Sequence, residues 1–387
     1  MDYIKESLFF KVQKAIRYIR LYGVSRTLIK IKGQYHMNKK YENLPLNNIN
    51  VNASKQHIGL LGCGNFGFSN IAYYLNKNKG SVLRGVMDVN ANRAASLFEE
   101  YKASYYTTNP DDIINDDAIN MVYIASNHAT HAEYAIKAIE KGKAVHIEKP
   151  HAVSMVQLVR LCQAIQKYNG KVRMGYNRPS SKLGLLASKA LNEQQGETML
   201  NWFVAGHAIE PSHWYFSQNE GGRVLGNLCH WTDLSLNMIP RKGQFPIKII
   251  PTRAEKSDCD ISVSYIFGDS SIATITFSAK GHTFEGVRET LSAHRGNVLL
   301  ELKDFQKLRI DNVAKVSKYN LINRDHGHKL AVVRSYDMLK DTTLAESIEY
   351  IWNTGYLALK TKEALETNQP VTIDDFDIAF PLEAAAY

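Results

Sequence analysis

Between Gln56 and Pro150 the chain alternates short apolar runs with stretches whose apolar residues recur every three or four positions. Residues 57–62, 82–88, 120–125 and 143–147 read as strands, and 65–75, 90–101 and 131–141 read as helices. Strands alternating with helices of this length predict parallel βαβ units. After a helical stretch over 153–168 the pattern changes. Residues 198–205, 247–253, 261–267, 271–278, 288–293 and 297–302 read as successive strands with little helix between them, which predicts a largely antiparallel sheet. Helical patterns over 328–339 and 344–367 follow. At the other end, Ile4, Leu8, Val12, Ile16 and Ile19 form an apolar stripe at helical spacing, flanked by Lys11, Lys14, Arg17 and Arg20. The polar run from Leu44 to Asn50 reads as a linker. The chain therefore divides into a basic amphipathic tail over 1–50, an α/β domain over 51–152 and an α+β domain over 153–387.

Composition narrows the classes. A chain of 387 residues, 44% hydrophobic and 22% charged, can bury two sizeable cores and is not disordered. Its four cysteines show neither C-x-x-C spacing nor a metal-ligand grouping. They read as reduced thiols of a cytoplasmic protein, and no metal is expected. No apolar run approaches the ~18 residues of a membrane-spanning helix. Residues 1–50 carry +7 of the +9 net charge, so a nucleic-acid footprint over the whole protein is excluded. The tail helix is expected to dock: on an anionic membrane surface through residues 1–32, on the protein's own domains, or on another subunit.

Gly62-Cys63-Gly64-Asn65-Phe66-Gly67 is a G-x-G-x-x-G motif that follows an apolar strand and opens a helix. In that context Gly62 permits a tight turn, Gly64 lets backbone approach a pyrophosphate, and Gly67 allows helix to pack on strand. The N–H groups of Asn65 and Phe66 at the helix start would face the phosphates. Asp88 ends the next strand, 21 residues beyond Gly67. A carboxylate there accepts ribose hydroxyls and repels a 2′-phosphate, which favours NAD over NADP. Arg93 is the residue nearby that would favour the opposite choice. A Rossmann dinucleotide domain is the expected reading.

Further on, Val122-Tyr123-Ile124-Ala125-Ser126-Asn127-His128-Ala129-Thr130-His131 leads into a helix, and Gly142-Lys143-Ala144-Val145-His146-Ile147-Glu148-Lys149-Pro150 follows. With the glycine motif, these segments resemble the glucose–fructose oxidoreductase and inositol dehydrogenase family, over roughly Gln56 to Ile373. The resemblance implies a Rossmann domain followed by an α+β domain with an open, mostly antiparallel sheet, and a site in the crevice between them. It implies hydride transfer between NAD and a hydroxyl or keto carbon of a sugar-like substrate. Lys149 is the implied catalytic residue, its pKa expected to fall through burial beside the nicotinamide. Pro150 is expected to fix the turn that aims it, through a cis bond. Ser126, Asn127, His128, His131, Glu148 and Asn177 are implied cofactor contacts, together with Lys149.

From the second domain, Glu220-Gly221-Gly222-Arg223-Val224-Leu225-Gly226-Asn227-Leu228-Cys229-His230-Trp231-Thr232-Asp233 resembles the family's glycine-rich helix. His230 matches its catalytic histidine and Asp233 an acidic residue one turn later. Many members carry an aspartate four residues before the histidine, where this chain has Gly226. Arg178, His213, Trp214 and Asn227 are implied substrate contacts, with Lys149 and His230. The His213-Trp214 pair and Asp325-His326-Gly327-His328 resemble members of polysaccharide biosynthesis, which favours a nucleotide sugar. Free sugars, inositols, glycoside cleavage through transient NAD oxidation and a non-catalytic NAD-binding scaffold stay open. A homo-oligomer, dimer or tetramer, is expected.

Overall fold

The computed structural model describes residues 5–47, 55–253, 260–280 and 284–375. Ile4 of the tail stripe, residues 48–50 of the linker and Cys259 lie outside the described residues.

Two helices come first, α1 (Leu8–Tyr22) and α2 (Val24–Asn38). The first domain then runs β1 (Ile58–Leu61), α3 (Tyr73–Lys79), β2 (Leu83–Met87), α4 (Ala91–Tyr101), β3 (Tyr105–Thr107), α5 (Pro110–Ile114), β4 (Met121–Ile124), α6 (His128–Glu140), β5 (Ala144–Ile147), α7 (Met155–Tyr168) and β6 (Val172–Met174). Its sheet has the order β3-β2-β1-β4-β5-β6, with every pairing parallel. β1, β4 and β5 are buried along their whole length, which is why they read as unbroken apolar runs. Strand order reverses between β1 and β4, and the carboxyl ends of strands at such a point form the usual ligand crevice. Asn90 and Ser154 cap α4 and α7 through their side chains, fixing where each helix begins. The parallel sheet does not stop at residue 152: α7 and β6 complete it before the chain crosses over.

The second domain runs α8 (Lys182–Asn192), β7 (Thr198–Ala205), α9 (Cys229–Met238), β8 (Ile247–Arg253), β9 (Asp260–Ile266), β10 (Ile272–Ser278), β11 (Arg288–Arg295), β12 (Val298–Lys303), β13 (Lys307–Asn312), β14 (Lys315–Asn320), α10 (His328–Asp337), α11 (Ile348–Thr367) and β15 (Val371–Ile373). Its open sheet has the order β14-β13-β12-β11-β7-β10-β9-β8-β15. Within this sheet, only the β7–β10 pairing is parallel among the described strands. Burial alternates along β9, β10 and β12, so one face of the sheet is core and the other is open. Trp202, Ile275 and Leu300 on the inner face pack with Leu183, Trp231 and Leu365 of the helices.

Residues 5–47 are not a separable tail. Ile29 of α2 joins the core of the first domain. Arg26 donates to the carbonyl of Ser69 and to Asn70 Oδ1. α1 reaches the second domain, where Arg17 pairs with Glu285 at 2.6 Å and the Leu21 carbonyl accepts the Arg324 N–H at 2.7 Å. The run read as a linker is itself pinned, with Asn47 bonded both ways to the backbone of Tyr106 at 2.8 and 2.9 Å. The outer stripe of α1 stays exposed: Leu8 77%, Val12 48%, Ile16 48% and Ile19 41%.

Candidate active site

β1 ends in the glycine loop, which passes through a π-helical turn (Gly67–Ala72) into α3. Gly62 has φ +99°, and a Cβ on it would lie 2.4 Å from the Ala125 carbonyl oxygen. A Cβ on Gly67 would lie 2.2 Å from the carbonyl oxygen of Gly62. These two glycines are therefore demanded by packing. Gly64 differs: nothing comes within 4 Å of where its Cβ would be. That open face beside the helix start is what close approach of a pyrophosphate requires. Asp88 is buried, with Oδ2 accepting the Cys63 N–H and Oδ1 the Asn90 N–H, both at 2.9 Å. Each oxygen keeps an acceptor lone pair, as a ribose diol would need. Arg93 lies in the first turn of α4, its Nε sealed from solvent without a hydrogen-bond partner.

A wall of this loop was missed in the sequence. His36 of α2 donates from Nε2 to the Cys63 carbonyl at 2.6 Å, accepts at Nδ1 from Ser96 Oγ at 2.9 Å, and stacks on Phe68 at 4.1 Å between centroids. Gly33 lets α2 approach, since a Cβ there would lie 2.5 Å from Asn65 Oδ1. The only signal was helical: buried Arg26, Ile29, Gly33 and His36 recur at i, i+3, i+7 and i+10.

Lys149 emerges just beyond β5, and its bond to Pro150 is cis, as expected. Its Nζ donates across the crevice to the Gly226 carbonyl at 2.5 Å. Burial pulls its pKa down, but Tyr215, Cys229 and Glu148 outweigh that and hold it above the ordinary lysine value. The protein's own groups therefore hold Lys149 as an ammonium at neutral pH. Glu148 lies over Gly175, where a Cβ would come within 2.5 Å of the carboxylate. Its Oε1 is 3.1 Å from His146 Nε2, whose ring continues to Ser335 Oγ at 2.7 Å. His131 sits between the carbonyls of Pro150 (2.8 Å) and Ser126 (3.0 Å), clamping the loop after β4 to the turn that carries Lys149. Ser126 Oγ meets Thr130 Oγ1 at 2.7 Å, and Asn127 is exposed at the start of α6 with no capping bond from its side chain.

His128 turns toward the second domain. Its Nδ1 donates to the Glu220 carbonyl at 2.8 Å, and its ring lies 4.6 Å from Trp214 and 4.8 Å from Tyr215. Burial and the Lys149 charge lower its pKa to about 2, so the ring is neutral. These groups explain Gly226. A Cβ there would be 2.6 Å from Tyr215 and 3.1 Å from His128, so the position has no room for an aspartate.

His230 faces Lys149 and Arg178 closely enough that both, after burial itself, depress its pKa well below the usual value. Its Nδ1 is sealed from solvent and has no hydrogen-bond partner. Asp233 does not supply one. Its Oδ1 accepts from the Tyr350 hydroxyl, and from Thr354 Oγ1 and Asn237 Nδ2, each at 3.3 Å. Burial holds its carboxyl up at about 8. No histidine–aspartate relay forms.

Asn177 donates to the His326 carbonyl, and its Oδ1 is buried without a partner. Arg178 sends Nε and one terminal nitrogen to Glu289, at 2.7 and 3.3 Å, and lies 4.4 Å over the Trp231 ring. Glu289 also accepts the Trp231 indole N–H at 2.6 Å and lies 3.3 Å from His326 Nε2. Arg178 is thus committed to an internal pair that forms the wall of the site. His213 accepts the Tyr215 N–H at Nδ1 (3.2 Å), and Trp214 beside it is 37% exposed. Asn227 lies 3.5 Å from Arg223, on the turn that carries Gly226. Tyr215 and Glu289 carried no sequence signal, and His146 and Glu220 lie in the family-like segments without a role of their own there, because each acts through partners distant in the chain.

A model of an oxidoreductase family with an NAD-binding Rossmann fold matches residues 56–176. Oxidoreductase P35 of Formosa agariphila is 34% identical over 273 residues, covering 59% of this chain and 84% of that one. Inositol 2-dehydrogenase of Salmonella typhimurium is 32% identical over 127 residues, and this alignment spans 38% of that enzyme and 32% of this chain. A solved levoglucosan dehydrogenase complex with NADH and levoglucosan superposes with a TM-score of 0.70 at 16% identity, over 82% of this chain and 99% of that one. That likeness speaks for the fold. The residues fit the dinucleotide: Gly64 leaves its face open, Asp88 offers two acceptors, and Asn177 Oδ1 waits unpartnered. The chain is an NAD-binding oxidoreductase and belongs to the glucose–fructose oxidoreductase and inositol dehydrogenase family.

Proposed function

We propose that the protein is an NAD-dependent dehydrogenase or reductase of a sugar-like polyol, with a nucleotide-linked sugar of glycan biosynthesis as its substrate. One observation carries this reading: Lys149, at the mouth of the Rossmann sheet, reaches across to the Gly226 carbonyl on the turn that leads to His230. NAD, when bound, accepts or supplies the hydride. In reduction the Lys149 ammonium hands a proton to the substrate oxygen. In oxidation it accepts the hydroxyl proton after losing its own, which the nicotinamide's positive charge favours. His230, a neutral ring with an unpartnered Nδ1, takes a hydrogen bond from a neighbouring hydroxyl. The test is a panel of nucleotide sugars, free sugars and inositols, read by NADH absorbance and product analysis. Turnover restricted to short-chain acids or amino acids contradicts the reading.

We further infer that α1 rests on an anionic membrane surface. Its inner face packs on the protein, while Leu8, Phe9, Val12, Ile16 and Ile19 stay exposed on a segment of strongly basic charge. No helix among the described residues is long and apolar enough to cross a membrane. Pelleting with phosphatidylglycerol vesicles should be lost in Val12→Glu/Ile16→Glu. A change in oligomer size without vesicle binding gives the stripe to a second copy instead. The homo-oligomer has its own candidate surface, the open face of the second sheet. There Met199 of β7 and Leu299 of β12, 55% and 50% exposed, both pair with His294 of β11 and form one row. A two-fold axis can bury such a row against itself. Leu299→Glu should then yield monomer on size exclusion, and an unchanged oligomer moves the contact elsewhere.

A further inference from the structure

The second domain brings one more hydroxyl to Lys149. Tyr215 lies in the single turn Trp214–Phe216, whose start is fixed by the Tyr215 N–H donating to His213 Nδ1 at 3.2 Å. Three rings hold its own, with centroids 4.8 Å away at His128, 4.5 Å at Trp214 and 4.9 Å at His213. One edge of the Tyr215 ring lies on Gly226, where a Cβ would be 2.6 Å from Cε2 and 2.9 Å from Cδ2. Gly226 is the position at which the chain departs from its family, and the Tyr215 ring fills the space that a side chain there would need. A ring clamped on so many sides has its hydroxyl placed by the fold, with little freedom left to lose on binding.

That hydroxyl is unused. Tyr215 is half-buried, and its phenol oxygen has no hydrogen-bond partner among the described residues. Lys149 spends one of its three N–H donors on the carbonyl of the same Gly226, which leaves two. Burial lowers the Lys149 pKa, and Tyr215 is the strongest of the groups that outweigh burial, ahead of Cys229 and Glu148; Arg178 works the other way. The rings of His128, His131 and His230 around it are neutral. Phenol and ammonium thus face each other across Gly226 with no bond between them, and an oxygen placed between the two can accept from both. A reacting oxygen needs this. In oxidation it gains negative charge as its proton leaves, and in reduction it gains the same charge as hydride reaches the carbonyl carbon. A fixed donor on that oxygen stabilises both transition states more than either ground state.

We propose that Tyr215 is a further catalytic residue, its hydroxyl donating a hydrogen bond to the substrate oxygen whose proton Lys149 handles. This rests on the sugar-dehydrogenase reading and adds to it a second donor at the reacting oxygen. The full-length protein and its Tyr215→Phe variant are compared by NADH absorbance on UDP-glucose, D-glucose and myo-inositol. Phenylalanine keeps the ring over Gly226, so melting temperature and NAD affinity should match the wild type. The expected loss is in kcat, by about 10², with KM nearly unchanged. Oxidation by the variant should also begin its alkaline rise at lower pH, because Lys149 has lost the neighbour that most strengthens its hold on the proton. A ring that only fills the space over Gly226 is served as well by phenylalanine, so wild-type kcat or an unmoved pH profile in the variant overturns the proposal. A loss confined to KM also overturns it, since the hydroxyl would then touch the ground state and the transition state equally. Failure of the sugar reading looks different: the wild type itself turns over none of the three compounds, and the proposal falls with that reading.

Discussion

The two walls of the crevice reach the same few ångströms by different routes. On the Rossmann side, β1, β4 and β5 lie next to one another and deliver Gly62, Ser126 and Lys149 from their carboxyl ends. Each residue there is placed by the strand that precedes it, so position follows from local sequence. On the facing side, Gly226, His230, Glu289 and His326 come from a π-helical turn, α9, β11 and the stretch before α10. Nothing local aligns them; they are fixed by pairs such as Arg178–Glu289 that span the chain. Chemistry that needs backbone geometry lies on the first wall, and chemistry that needs tuned side chains is shared with the second.

The largest expected effect tests whether Lys149 alone does the proton work of the first wall. Lys149→Ala should lower turnover by about 10²–10⁴, with NAD binding retained in a nucleotide titration. Near-normal turnover would falsify the role. The raised pKa of Lys149 adds a direction: the proton donor is present at neutral pH, so reduction should proceed there while alcohol oxidation climbs toward alkaline pH. Parallel kcat/KM profiles in the two directions contradict this. The loop itself divides cleanly. Gly67→Ala puts a Cβ into the Gly62 carbonyl and should prevent folding, whereas Gly64→Ala should keep the melting temperature and weaken NAD binding. Equal melting temperatures for both variants would show that the contacts at Gly67 relax.

The second wall breaks differently. Glu289 is fully buried between Arg178, the Trp231 indole and His326, so Glu289→Gln leaves a buried guanidinium without its counter-charge. That should cost about 3–5 kcal/mol of stability at neutral pH. Burial raises the Glu289 pKa, but Arg178 and His326 outweigh it and hold it at about 2, below its ordinary 4.5. A depressed carboxyl contributes its full stability above the unfolded value and loses it as pH falls through the folded one. The gap between wild type and Glu289→Gln should therefore narrow between pH 4.5 and 2. A denaturant series in which the gap stays constant would show that the pair is not what stabilises the wall.

This contrast explains what was legible in the sequence. The glycine motif, Asp88 and Lys149 were readable because a strand, a turn and a helix start follow one another within a few residues. β7 and β8 were placed to the residue, since apolar residues recur through both. β3, β13 and β14 were not seen; β3 is three residues long, and β14 lies at the sheet edge, nearly all exposed, with little apolar pattern. Of the two N-terminal helices, α1 was legible as an amphipathic stripe, but α2 and its role as a wall were not, because His36 meets Cys63 across an unrelated stretch of chain. His36→Ala should therefore act on the cofactor site, although every cofactor contact expected from the sequence lies at Gly62 or beyond. It leaves the Cys63 carbonyl without its donor, a loss of about 1–3 kcal/mol, and NAD affinity should fall in the same titration. Unchanged affinity and melting temperature return α2 to a peripheral role.

The smallest effect is expected at Asp233, and it separates a structural carboxyl from a relay. Asp233 sits three residues past His230 on α9, yet its bonds go to Tyr350, Thr354 and Asn237. Burial raises its pKa to about 8 from an ordinary 3.8, so the fold favours the neutral carboxyl. The sign then follows. The unfolded chain ionises above 3.8, and the contribution of this group to stability declines as pH climbs from there to about 8. Asparagine stays neutral at every pH and keeps an acceptor oxygen for the same three donors. Asp233→Asn should match the wild type near pH 4 and lose less stability as pH rises toward 8. Melting curves that run parallel across this range would show that the carboxyl ionises freely in the fold. Activity supplies the second arm. With no bond from Asp233 to His230, kcat/KM in Asp233→Asn should remain within a few-fold of the wild type, with the shape of its pH profile unchanged. A drop of about 10² or more, with folding intact, would mean that substrate binding swings the two side chains together. The second wall would then be a relay assembled only in the complex, instead of a fixed surface against which Lys149 works.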